Sequence, residues 1–224
     1  ASIGLTSREI LVQSNTVVFQ EGYLITFNGE ILTKQKINVD FTMAVVADDL
    51  MKMLERFPDD EVEIDCRKTE IVVKGSKRSA GITAFTAIAL PYTKVPKPQE
   101  WTAIPDGYLE DLKRAALTCG RDETRYETTH VQITATAVRA SDGSCIFRAK
   151  RKTGLSEILV PARSLLAILP LEPTEISIEK GWTHFKAGTM IISCASSLDK
   201  YFKDLDRHFD VTGEVSTLPK DLIG

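Results

Sequence analysis

The side chains best suited to nucleophilic or metal chemistry are four cysteines, Cys66, Cys119, Cys145 and Cys194, and three histidines, His130, His184 and His208. A thiolate nucleophile needs a base within hydrogen-bond reach. Cys119 with His130 and Cys194 with His184 are the pairs that could be drawn. Neither has the setting of a nucleophile turn: His130 leads into an alternating strand, and a lone cysteine on an apolar stripe is packing. A zinc site needs closely spaced ligands, and the sequence holds no C-x-x-C pair. Gly75-Ser76-Lys77 lacks the upstream glycine of a phosphate-binding loop, and Gly143, in Ser-Asp-Gly-Ser, is a turn glycine. These residues point to a non-enzymatic protein with no cofactor and no metal. Free thiols suit a reducing, cytoplasmic setting.

Charge is the next chemical resource. Lys and Arg number 28 against 31 Asp and Glu, a net charge of -3. A protein that coats nucleic acid indiscriminately would be strongly basic, so any such contact here must come from a local positive face on an acidic body. The densest basic run is Arg148, Lys150, Arg151 and Lys152. It reads better as a solvated strand end and loop than as a nucleic-acid patch. No apolar run is long enough to cross a bilayer, and the first residues, Ala1 to Glu9, show no signal-peptide pattern.

The elements that must carry these groups repeat. Val46-Ala47 and Val160-Pro161 precede or open amphipathic helices, and 160 minus 46 is 114. The same offset relates Val17, Phe19 and Leu24 to Val131, Ile133 and Val138. It also relates Asn28-Gly29 to Asp142-Gly143, Val62 and Ile64 to Ile176 and Ile178, and Ile104-Pro105 to Leu218-Pro219. Self-similarity at a fixed period decides an architecture. One copy reads as helix, strands, helix, strands. The complete copy opens with a helix from Pro105 to Cys119, whose Leu109, Leu112, Ala116 and Cys119 form the apolar stripe. A second helix starts at Pro161, and its first-copy counterpart runs from Ala47 to Phe57. Strands are expected over 61–65, 70–74 and 79–85, and again over 175–179, 183–186 and 189–195. Pro91 to Pro98, with three prolines, reads as an inter-domain linker. The expected division is 1–97 as a domain lacking its first helix, 98–211 as a complete domain, and 212–224 as the opening of a third. The chain reads as a window on a longer protein.

The order and spacing of FTMAVVADDLMKMLERFPDDEVEID, AIPDGYLEDLKRAALTCGRDETRY, VRASDGS, ILVPARSLL and FKDLDRHF followed by TLPKDL resemble the bacterial DNA sliding clamp, the beta subunit of DNA polymerase III. The resemblance implies an α+β fold of repeated clamp domains, each built of two helix-plus-antiparallel-strand units, with helices on one face and sheets on the other. It implies a processivity factor that encircles double-stranded DNA without reading sequence. It also implies self-association into a ring of six domains, closed as a two-fold dimer by complete three-domain chains. Partners would be a replicative polymerase and a clamp loader, held through short apolar peptides, with no membrane. Phosphate contacts position a duplex without carrying sequence information. The candidates for them are Lys52 and Arg56, Lys113 and Arg114, and Arg163 on the helices, followed by Arg121, Arg125 and Tyr126 in the loop that by resemblance meets DNA. The implied partner-peptide pocket has a wall of Thr128, Ser141, Gly143, Ser144, Cys145 and Ile146, with Lys203 and His208 from the crossing toward a third domain. Ser144-Cys145 stand where the family has His-Arg, and Lys203-Asp204 where it has Pro-Asp. The pocket is therefore expected to be wider and less positive, and the drift points to a phage or prophage version. The competing reading is a repeat-built protein-interaction scaffold without DNA binding, to be separated by the charge on the helix-lined face.

Overall fold

The computed structural model describes residues 3–199, 205–209 and 213. The first copy runs β1 (Thr16–Gln20), β2 (Tyr23–Phe27), β3 (Ile31–Lys36), β4 (Met43–Val46), α1 (Ala47–Leu54), β5 (Glu63–Arg67), β6 (Glu70–Lys74) and β7 (Ser79–Thr83). A two-residue strand β8 (Thr102–Ala103) and helix α2 (Tyr108–Thr118) lead into β9 (His130–Ile133), β10 (Ala137–Ser141), β11 (Ile146–Lys150), β12 (Ile158–Pro161), α3 (Ala162–Ile168), β13 (Glu175–Glu179), β14 (Trp182–Ala187) and β15 (Met190–Ala195). Every strand pairing between these elements is antiparallel. The α+β class with antiparallel sheets is the one expected.

The helices are shorter than the sequence suggests. α1 ends at Leu54, where the expectation was Phe57, and the chain leaves through tighter turns, with the Arg56 amide donating to Met53 and that of Phe57 to Leu54. α2 begins at Tyr108, after the turn Pro105–Gly107, and buries Tyr108, Leu112, Ala115 and Ala116, one stripe at helical spacing. Glu110 and Asp111 in its first turn suit the positive end of the helix dipole.

The repeat also shifts phase. β2 and β10 begin at 23 and 137, an offset of 114, whereas β5 and β13 begin at 63 and 175, an offset of 112. The cause is the connection after the helix: 55–62 in the first copy but 169–174 in the second, two residues shorter. Ile64 therefore corresponds structurally to Ile176, not to Ile178.

Two further sheets flank one large one. The large sheet has eight strands in the order β4-β1-β2-β3-β15-β14-β13-β8, and it crosses from one copy to the other where β3 pairs with β15, from Met190 opposite Gln35 to Cys194 opposite Ile31. Strand alternation sorts its residues. Val17, Phe19, Ile31, Ile176, Phe185, Ile192 and Cys194 belong to the two clusters that also hold the helix residues Leu50, Leu112 and Leu165. Helices of both copies thus lie on one side of a continuous sheet. The opposite face carries Val18, Ile25, Phe27, Leu32 and Ala44, sealed by Leu90, Tyr92 and Val95. The proline-rich linker is consequently not a free spacer. Tyr92 and Val95 are buried and the Tyr92 hydroxyl donates to Gln20.

Candidate DNA and partner interfaces

On the helix side, Lys52, Lys113 and Arg114 are exposed, because all three fall off the buried stripes of α1 and α2. Arg114 holds Glu110 one turn back at 3.2 Å, a pair open to solvent and worth little. Arg56 is exposed too, but lies beyond the end of α1, so it does not share a helix face with Lys52 as the spacing implied. The face is of mixed sign, since Asp48, Asp49 and Glu110 are exposed beside these cations.

Arg163 is placed differently. Its guanidinium grips both carboxylate oxygens of Glu30, at 3.1 and 2.7 Å, and Glu123 at 2.8 Å. Ser164 donates to the same Glu30. Glu30 sits on the β2–β3 turn of the first copy, so this cluster ties the copies together. Only the three-dimensional pairing reveals it, as Glu30 and Arg163 have no sequence relation. Beside it lies a cavity of about 800 Å³, lined among others by Leu117, Cys119, Arg121, Tyr126, His130 and Leu166.

The loop 121–129 divides its residues between two places. Arg121 and Tyr126 line that cavity, and the Tyr126 ring packs on His130 with centroids 4.1 Å apart. Arg125 instead leans over the β10–β11 turn: its guanidinium is 3.5 Å from where a Cβ on Gly143 would stand. The expected peptide-pocket residues do gather at that turn. Thr128 is buried and donates to the Arg125 carbonyl at 2.8 Å. Ser141 donates to the Cys145 carbonyl at 2.8 Å and accepts from the Gly143 amide at 3.0 Å. Asp142 accepts from the amides of Ser144 and Cys145, bonds that hold its carboxyl below the usual carboxylate range. Gly143 has φ +93°, a left-handed conformation that favours glycine. Ile146 is half-buried and packs against Leu159 and Leu205. His208 is exposed, with Arg207 at 3.4 Å. Lys203 lies outside the described residues.

Sequence reasoning missed a second ionic cluster. Arg139 and Arg148, opposite each other on β10 and β11, both bind Asp206, at 2.5 and 3.0 Å. Arg148's hydrogen bond, reinforced by the charge of Arg139, holds the Asp206 carboxyl below its ordinary value. Arg148 also stacks over Phe209 at 4.1 Å. The basic run therefore begins in paired, half-buried charge before reaching the exposed Lys150 and Lys152. The only advance signal was Arg139 on an otherwise apolar strand.

The two cysteines of the cysteine–histidine pairs are held as neutral thiols. Burial pushes the Cys119 and Cys194 thiols up to about 12, so both are neutral at pH 7. Cys194 pairs in register with Thr183, so its side chain points to the face opposite His184. His184 bonds Ser193 at 2.7 Å, and burial pushes its pKa from the ordinary 6.5 down to about 4. Since the folded value is the lower, this histidine contributes full stability above about pH 6.5, lost as pH falls toward 4, amounting to roughly 3 kcal/mol. Urea melts from pH 7 to 4.5 should show that loss, and His184→Gln should flatten it. An unchanged slope would clear His184 of the effect. Among the described residues there is no group of three metal-ligating side chains and no helix long and apolar enough to cross a membrane.

An antiparallel sheet running unbroken from one α+β repeat into the next, with α1, α2 and α3 on one side, is the DNA-clamp fold. Solved structures that share it include bacterial sliding clamps. A putative DNA polymerase III beta subunit from Eubacterium rectale superposes with a TM-score of 0.77 at 14% identity, covering 93% of this chain and 63% of that one. The DnaN sliding clamp of Pseudomonas aeruginosa, bound to griselimycin, gives 0.75 at 16% identity over 94% of this chain and 63% of its own. The Helicobacter pylori beta clamp bound to a DNA ligase peptide gives 0.74 at 14%, over 91% and 63%. The chain thus spans about 63% of the length of the clamps it matches. No protein-family model and no curated protein matches the sequence.

Proposed function

We propose that the protein is a sliding clamp: a non-enzymatic processivity factor that surrounds duplex DNA and tethers a polymerase. The observation that carries the reading is the β3–β15 pairing, which fuses two copies into one continuous sheet with α1, α2 and α3 on the same side. Such a joint can propagate. By the repeat, β7 corresponds to β15 and β11 to β3, and among the described residues both stand at sheet edges. Edges of this kind invite strand partners, so further clamp domains would extend the wall from both. On this reading 1–97 and 98–211 are clamp domains and 212–224 opens a third. Retention would come from ring closure, so weak phosphate contacts from Lys52, Arg56, Lys113 and Arg114 suffice. Arg121 supplements them, while Arg163 and Arg125 act first in tying the copies and supporting the Gly143 turn. Partner enzymes would attach through short apolar peptides at the turn formed by Ser141 to Ile146; a clamp of this fold, that of Helicobacter pylori, is solved bound to a DNA ligase peptide.

The test is topological. The intact protein, loaded on nicked circular DNA, should remain bound and leave once the circle is linearised. Lys52→Glu, Lys113→Glu and Arg114→Glu together should weaken unloaded binding about tenfold or more and reduce the salt slope by about 0.9 for each lost phosphate contact. No retention on the circle, with no salt-dependent duplex binding for these changes to weaken, would favour the protein scaffold.

A further inference from the structure

Beyond the helix face and the peptide turn, the outer face of the second copy carries a concentration of positive charge that the clamp reading does not use. A cleft of about 390 Å³ is lined by Arg139, Arg148, Lys150, Arg151 and Lys152, with Asp206 the one acidic wall residue among the described residues. Arg151 also reaches Asp111 of α2 at 2.6 Å. Five cations against Asp206 and Asp111 leave a local charge of +3, on a chain whose net charge is -3. Lys150 and Lys152 are exposed and have no acidic partner among the described residues. We propose that this cleft docks an acidic, extended segment of a protein partner.

The comparison between copies argues that the charge is there for a ligand. At the corresponding positions the first copy has Val18 and Ile25 where the second has Gln132 and Arg139, and there the face is closed by Leu90, Tyr92 and Val95. Apolar packing therefore suffices to seat a connecting segment on this face. In the second copy Leu205 still packs on Leu159, and Asp206 occupies the inner rim between the two arginines. Anchoring one carboxylate does not require Lys150 and Lys152 as well, and Arg151 is already held by Asp111. An unbalanced positive cleft attracts carboxylates and raises their association rate. A polypeptide is favoured over nucleic acid for two reasons. Arg139, Arg148 and Lys150 alternate with Val138, Phe147 and Ala149, which face the helix-side core, so the cleft opens on the wall turned away from the helices. Its volume admits a few side chains, not a duplex.

The experiment titrates the intact protein with a fluorescein-labelled Glu/Asp-rich peptide, a neutral Gly/Ser peptide and a labelled duplex, at two salt concentrations. Lys150→Glu with Lys152→Glu alters exposed residues only, and a thermal melt confirms that the variant folds. The parent should bind the acidic peptide and not the neutral one, with affinity falling as salt rises. The double variant should lose about tenfold or more of that affinity while keeping duplex binding. Lys113→Glu with Arg114→Glu should do the reverse, which separates this cleft from the clamp reading. Failure of the parent to bind the acidic peptide would overturn the proposal. A double variant that loses duplex binding and keeps the peptide would reassign the cleft to nucleic acid and overturn it equally.

Discussion

Replacing Phe185 by alanine should destabilise the protein by about 3–5 kcal/mol. Phe185 is fully buried on β14, in register with Ile176 and Ile192, beneath the cluster that holds Leu112 and Leu165. Its ring fills the space between the large sheet and the helices of the second copy, so truncation leaves a cavity that three packed elements cannot jointly close. The same sheet continues through β15 into the first copy, so the damage should be felt across the joint. Urea unfolding followed by circular dichroism measures it, read as a fall in midpoint at constant slope. Ile10→Ala is the control, since Ile10 is 84% exposed and its loss should be near neutral. A cost under about 1 kcal/mol for Phe185→Ala would mean that the sheet and helices do not share this core.

Replacing Gly143 by arginine should abolish binding of an apolar partner peptide in the intact protein while leaving DNA retention in place. Two effects act together. A side chain at φ +93° is strained, at about 1–2 kcal/mol. The new guanidinium would also begin beside that of Arg125, whose nearest atom is 3.5 Å from the Cβ position. Like charges in that space push the turn open, which breaks the Ser141 and Asp142 bonds that shape it. Titration with a labelled polymerase or ligase tail peptide, next to retention on circular DNA, reads the two outcomes separately. Ser144→Ala, which removes an exposed hydroxyl and keeps the turn, should change little. Unchanged peptide affinity in Gly143→Arg would move the partner site elsewhere.

Much of the fold was legible in the residues. Alternation in Val131 and Ile133, the Asn28-Gly29 and Asp142-Gly143 turns and the stripe Leu112–Ala116 mark strands, hairpins and a helix at the places where they occur. Each of these is a local preference, set by side-chain period and by turn geometry. Boundaries were less so. α1 stops at Leu54 although LMKMLERF keeps an apolar rhythm, because packing, not propensity, decides where a short helix ends. The two-residue deletion that shifts the repeat to 112 was masked because strands tolerate a shift of two without changing face.

The candidate site divides in the same way. By itself the sequence determined the repeat, the antiparallel α+β class and the exposure of Lys52, Lys113 and Arg114, all consequences of near-neighbour periodicity. Only the tertiary structure decided that β3 joins β15, that Glu30 claims Arg163, that Asp206 bridges Arg139 and Arg148, and that the proline-rich linker buries Tyr92 and Val95. Each of those depends on residues tens to more than a hundred positions apart, whose meeting is fixed by how whole sheets and helices bury their apolar faces. A charge pattern along the chain can nominate a cation, but its partner is chosen by the packing that brings another segment alongside.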